Sequence, residues 1–346
     1  MGNSLAVGSM VFWAAGFPAA DALLQIWHPV TLILLRLITV LFLLYPLWIW
    51  MEGRGTLQNV AWSRGFVIGF FGFGIGTALL LFAQWYTDPV TVALIATTTP
   101  IMATLLEVWQ GDRKISIQFL IGLTASVIGG VFAVGDTFTL DTGIGLFMAI
   151  FAGAFFAWAS DASVKQLPSL STLGRTTVTF TGAALFAAVL FIFCWYYEIA
   201  ALPDTVSLTD VSNLAIYAIA AMAISQIMFL GAVSKIGIAL TSLHVNIAPF
   251  YVMMFVVLLG GSWNVQVAFG AAMVAIGVII AQKINPRDCG VSRTLDLHEY
   301  AVTFYLNGIG HQIHGGRCRQ GFARTNVKTP SMQRTFDHAI NHHTIF

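Results

Sequence analysis

Few side chains in this 346-residue chain could do chemistry in apolar surroundings. Arg36 is the one Lys or Arg set deep in an apolar stretch, seven residues after Pro29. A guanidinium withdrawn from water costs several kcal/mol unless it is paired or hydrated. It is therefore either a bidentate partner for a substrate carboxylate or a structural arginine that bonds helix carbonyls or snorkels outward. His244 and Asn246 lie three to five residues before Pro249, and Thr97, Thr98 and Thr99 precede Pro100. A proline frees the carbonyl four residues back, which nearby hydroxyls, amides or water must satisfy. That need alone accounts for the threonines. His244 has three readings: a cavity lining, a proton-linked group or a helix–helix hydrogen bond. Trp13 and Trp158 lie inside apolar stretches and are expected to line a path from its two sides. Gln84, Tyr86, Ser225 and Gln226 are polar lining or helix packing. The expected substrate-binding set is Trp13, Arg36, Gln84, Tyr86, Thr98, Trp158, Gln226, His244 and Asn246.

Other chemistry is missing. Glu107 and Asp161 fall near the ends of apolar stretches, so no carboxylate sits where a proton carrier belongs. Facilitated efflux and coupling through His244 both remain open. There is no GxSxG, no His/Asp/Glu metal cluster and no carboxylate pair within one apolar stretch, so a membrane-embedded enzyme lacks its constellation. Cys194, Cys289 and Cys318 have neither metal nor redox spacing. With Cys289 and Cys318, His298, His311 and His314 match no familiar ligand spacing either. No metal and no cofactor are expected. Neither a ring of charges nor a filter-like repeat points to a channel.

The elements that must position these residues follow from composition. Hydrophobic residues make up 58% of the chain and charged ones 9%, with a mean hydropathy of +0.82. A soluble domain carries roughly 25% charged residues, so the solvent over most of this chain is lipid. Net charge is +1 and no basic block suggests nucleic acid. Met1-Gly2-Asn3-Ser4 lacks the basic region of a secretory signal, and Ala6 stands where myristoylation wants Ser or Thr. A membrane helix needs about 20 apolar residues. Spans are predicted near 4–23, 29–50, 65–84, 89–108, 116–135, 143–163, 176–197, 212–232, 237–259 and 265–283. With the N-terminus cytoplasmic, the inner loops hold Arg54, Arg64, Arg113, Lys114, Lys165, Arg175 and Lys235, followed by Lys283 and Arg287. The outer side holds Asp21, Asp88, Asp136, Asp141, Glu198, Asp204 and Asp210, with no Lys or Arg. Lys and Arg concentrate on the cytoplasmic side, so both termini are placed in the cytoplasm. One miscounted helix would scatter these residues. Residues 284–346 are polar, hold six of the eight histidines, and read as a disordered tail.

Two stretches repeat. Ala83 to Pro100 is answered by Ala232 to Pro249, both ends 149 apart; Gln118-x3-Gly122 and Gly129 are answered by Gln266-x3-Gly270 and Gly277 at 148. Trp13 in the first span is matched by Trp158 in the sixth. The chain reads as two five-helix repeats, 1–141 and 142–283. Five is odd, so the second begins on the opposite side of the membrane, as in the inverted repeats of secondary transporters. Gly65, Gly69, Gly72, Gly74 and Gly76 permit close helix approach, for tight packing or for rocking.

On these residues the sequence resembles the EamA-like ten-helix branch of the drug/metabolite transporter superfamily. Trp13, Pro29-x6-Arg36, Thr99-Pro100, Gly111-Asp112-Arg113, Pro249 and the Gln266–Gly277 run carry the resemblance, over roughly residues 5–283. Asp112 stands where the family usually has Glu, and Gly261-Ser262-Trp263 lacks an expected acidic residue. The resemblance implies an all-α inner-membrane protein of ten transmembrane helices, not an enzyme. It would export small polar organic metabolites, amino acids first among them, by alternating access. The nearest rival is a drug or other-metabolite exporter. Expected partners are a small-molecule substrate and the lipid bilayer, with no nucleic acid, and the expected state is a monomer.

Overall fold

The computed structural model describes residues 1–58, 60–111, 115–134 and 140–282. The tail from 284 onward, with its histidines and two of its cysteines, lies outside the described residues, as do Asp112, Arg113, Lys114 and Asp136.

Ten long helical stretches run through the described residues: α1 (Gly2–Leu24), α2 (Pro29–Glu52), α3 (Trp62–Tyr86), α4 (Pro89–Trp109), α5 (Ile117–Val134), α6 (Leu140–Gln166), α7 (Thr172–Tyr196), α8 (Leu208–Ile236), α9 (Ile238–Leu258) and α10 (Val265–Gln282). Eight are long and apolar enough to cross a membrane, and α5 and α10 hold shorter apolar stretches, Ile117–Gly129 and Val265–Ile280. The protein is an all-α, multi-pass membrane protein. Its outward faces agree: Ile38 and Phe42 on α2, Leu185, Val189 and Ile192 on α7, and Phe269, Ile276 and Ile279 on α10 are exposed at helical spacing. A soluble monomer rarely shows apolar patches of that extent.

Local chemistry sets the ends. Pro29 and Pro89 stand in the first turns of α2 and α4, where a missing N–H costs nothing. Asp88 accepts from Val90 N and Thr91 N at 2.9 Å, and Ser207 with Asp210 closes a capping box on α8. Gly53 and Gly237 end α2 and α8 at φ 81° and 80°, a conformation that costs glycine little. Arg175, expected in a loop, is instead buried, because α7 starts at Thr172, four residues earlier than hydropathy suggests. Ser171 accepts from Gly174 N at 3.0 Å and so begins the helix upstream of the apolar run.

Four helices depart from α geometry at matching places. α3 contains a π segment, Ile68–Gly74, and α8 contains another, Ile216–Ile224, each starting 148 residues from the other. α4 breaks at Thr97 and Thr98, just before Pro100; α9 tightens to a 3-10 turn over Leu243–Ile247, just before Pro249. α5 and α10 begin under caps at matching positions, Ser116 Oγ on Phe119 N (3.2 Å) and Asn264 Oδ1 on Val267 N (3.1 Å). They then pack reciprocally. A Cβ on Gly129 would lie 3.1 Å from Gly270 O, and one on Gly277 would lie 2.7 Å from Gly122 O. Only glycine allows backbones that close. Glycines of α3 instead make room for side chains, Gly65 for Val178, Gly72 for Ala159 and Gly74 for Phe186. Elsewhere α3 packs on α6, α2 on α7, and α1 on α8 and α9.

Candidate functional site

Four helices bring a buried guanidinium, that of Arg36, to a cavity. Trp13, Gly16 and Phe17 come from α1, Arg36 from α2, Leu80, Leu81 and Gln84 from α3, and Tyr217 from the π segment of α8. Gly16 makes this convergence possible, since a Cβ there would stand 2.4 Å from Ala221 Cβ and 3.3 Å from Tyr217 Cδ2. The cavity has about 10 Å3 of room, space for a single water.

Arg36 is 5% exposed. Its Nε donates to the Tyr217 carbonyl at 3.1 Å, and its guanidinium carbon lies 3.7 Å from the centre of the Tyr217 ring. Among the described residues no carboxylate forms an ion pair with it; Asp161, for one, pairs with Lys165 at 3.0 Å. One carbonyl and one ring face leave most of a guanidinium's five donors uncommitted. Gln84 Nε2 donates to Phe17 O at 2.8 Å, so its Oε1 is left as an acceptor. Trp13 meets Phe17 edge to face at 4.9 Å.

Trp13 also connects this cavity to the helix breaks. It packs on a buried cluster of Met10, Ala96 and Val245, together with Phe229 and Tyr251. Ala96 and Val245 are 149 apart, the residues just before the α4 break and inside the α9 turn. The break threonines are occupied with their own helix: Thr97, Thr98 and Thr99 donate to Leu94 O, Ile95 O and Ala96 O at 2.5, 2.8 and 2.6 Å. Next to Val245, Asn246 is buried with neither carboxamide atom partnered. His244 Nδ1 lies 3.2 Å from Leu240 O and 3.3 Å from Thr241 O, back along its own helix. Thr77 Oγ1 and Gln226 Nε2, 149 apart, are buried without partners as well.

Of the nine residues expected from sequence, Trp13, Arg36 and Gln84 line one cavity, and Asn246 lies beside the cluster that Trp13 shares. Thr98 and His244 belong to the breaks, and Gln226 follows the α8 π segment. Tyr86 stands apart, 40% exposed at the end of α3, because the helix carries it beyond the packed layer. Trp158 lines a different space, an open apolar groove of about 310 Å3 with Phe71, Phe151, Ala154 and Phe155. Sequence reasoning missed Tyr217, a lone tyrosine in an otherwise apolar run. It also missed the polar ties that join the other helix ends. Ser171 Oγ bonds Glu52 Oε1 at 2.5 Å, and Gln110 Nε2 donates to Asp161 at 3.1 Å while Lys165 donates to Gln110 Oε1 at 2.7 Å. Arg175 donates to Leu167 O, Pro168 O and Ser234 Oγ at 2.9, 3.2 and 2.8 Å.

Residues 1–135 match the EamA-like transporter family. The matched segment spans the first five helices. Among solved structures, one crystal structure aligns with a TM-score of 0.61 at 17% identity, covering 81% of this chain and 96% of its own. At that identity the likeness is one of fold. No curated protein matches the sequence. Arg36, Trp13 and Gln84 all belong to the matched segment.

Proposed function

We propose that this protein is a secondary transporter that exports small polar organic metabolites, amino acids first among them, by alternating access. The observation that carries the reading is Arg36, a buried guanidinium without an acidic partner among the described residues, facing a cavity shared by both halves of the chain. A substrate carboxylate would complete its hydrogen bonding in a setting where charge-assisted bonds are strong. Gln84 Oε1 is the acceptor available to an ammonium, and Trp13, Phe17 and Leu80 offer apolar surface. The cavity's one-water volume means that substrate enters only when helices part.

An inverted repeat of residues 1–141 and 142–283 supports alternating access. It is favoured by the π segments, the helix breaks, the caps and the reciprocal glycine contacts, all recurring at 148 or 149 residues. The one-sided Lys and Arg distribution favours both termini in the cytoplasm; the reading places the carrier in a bacterial inner membrane as a monomer. In that orientation Arg36, Gln84 and Tyr217 lie toward the outer side, and the ties of Glu52, Asp161 and Arg175 close the inner side.

Reconstitution in liposomes tests the reading, with efflux of labelled amino acids, nucleosides and cationic dyes followed with and without a pH gradient. Saturable amino-acid flux is expected. Flux of dyes or nucleosides alone would move the assignment to the drug or other-metabolite branch, and no flux of any kind would end the transporter reading.

A further inference from the structure

We propose that Tyr217 is the resting partner of Arg36, and that a carboxylate ligand displaces it and releases the α8 π segment into α register. The Tyr217 carbonyl and ring face together occupy the guanidinium much as an anion would, at 3.1 and 3.7 Å. The carbonyl belongs to Ile216–Ile224, where hydrogen bonds run five residues along instead of four. A carbonyl that accepts from Arg36 is a weaker acceptor for its own helix, so the cation favours the wider turn. An anion that takes over the guanidinium removes that bias. The carboxylate class rests on the transporter reading; the Arg36–Tyr217 control of helix register does not.

The register change would be felt far away. One residue of register is about 100° of rotation and 1.5 Å of rise in an α-helix. It would turn Ser225–Ile236, which carries Gln226 with its unpartnered Nε2, and Ser234, which accepts from Arg175 at 2.8 Å. Tyr217 and Ser234 are 17 residues apart, about 25 Å along the helix. Binding at one end of α8 would thus loosen the Arg175 tie at the other.

The matching place in α3 shows why the device is one-sided. Tyr217 corresponds to Gly69 at an offset of 148. Arg36 is the seventh residue after the start of α2, and Thr179 the seventh after the start of α7. There the Thr179 carbonyl packs directly on Gly69, where a Cβ would come within 1.8 Å of it, and Gly182 Cα would lie 2.9 Å away. Backbone against backbone offers nothing for a ligand to replace. Two π segments are present among the described residues, and one of them is held by an exchangeable cation.

Amide hydrogen exchange of the full chain in lipid nanodiscs tests this, with L-leucine as the probe and L-leucinamide as its neutral-carboxamide control. L-leucine is expected to slow exchange across Ile216–Ile224 at least fivefold and to speed it around Ser234, with no effect from L-leucinamide. Arg36→Gln should reproduce both changes without ligand, and Tyr217→Phe, which keeps ring and carbonyl, should behave as wild type. Tyr217→Ala removes the competing ring, so L-leucine should bind about tenfold tighter, a gain that a merely structural tyrosine would not produce. An unaltered exchange pattern in Arg36→Gln, or weaker binding in a folded Tyr217→Ala, overturns the proposal. If L-leucine does not bind the wild type at all, the amino-acid reading fails, while ligand-free Arg36→Gln still decides whether the cation sets the register.

Discussion

Replacing Arg36 by Gln separates a ligand-binding cation from one that only holds helices together. The substitution removes the charge-assisted bond to Tyr217 O, about 1.5–3 kcal/mol, and the cation–π contact, about 2 kcal/mol when desolvated. It also removes the cost of burying an unpaired charge, which is several kcal/mol. These terms nearly cancel, so the melting temperature in detergent is expected to stay within about 5 °C of wild type. Binding has no such compensation. Losing one charge-assisted contact to a carboxylate costs about 1.5–3 kcal/mol, and each 1.4 kcal/mol is tenfold. Amino-acid affinity should fall roughly 10- to 150-fold, read by flux in proteoliposomes, while any uncharged analogue that binds is unaffected. A variant that melts far below wild type yet transports amino acids normally would refute the reasoning, because Arg36 would then be structural.

Three further outcomes follow from geometry. His28 caps α2 through Nδ1, which accepts from Val30 N at 3.3 Å, and burial pushes its pKa below the usual histidine value. The folded state favours the neutral ring, so the cap's contribution of about 0.5–2 kcal/mol is full above the unfolded pKa and is lost as pH falls through the lower folded one. His28→Asn, which also caps, should flatten the acid side of the stability curve, and an unchanged pH profile would contradict this. Gly277→Val places atoms against Ser126 and the Gly122 carbonyl, where even a Cβ would lie 2.6–2.7 Å away. It should destabilise by about 1–3 kcal/mol or more, whereas Gly231→Ala, with its nearest contact at 3.4 Å, should be tolerated. Asn246→Leu removes two buried unpartnered polar atoms and should raise stability by about 1–3 kcal/mol while lowering flux. A lower melting temperature with undiminished flux would show that Asn246 is satisfied in a way unrelated to substrate.

The sequence by itself determined the helices, because lipid demands long apolar stretches whose backbone groups bond internally. It also carried a pattern of proline, glycine and polar residues at 148–149 spacing, a local fact about the chain. The π segments of α3 and α8 had no such signature, yet they recur at the same offset, and their places were set by how those helices pack on α7 and on α1. Arg36 was legible as a charge out of place; its partner was not. Tyr217 is 181 positions away, and its contact runs through a backbone carbonyl, which carries no residue identity. Trp158 shows the opposite limit. Its match to Trp13 by type and span did not put it in the same space, because the side of a helix that faces a cavity depends on which neighbours close around it. Composition and spacing chose the solvent, the helices and their pairing, while the identity of the groups that meet was decided only when four helices closed on one cavity.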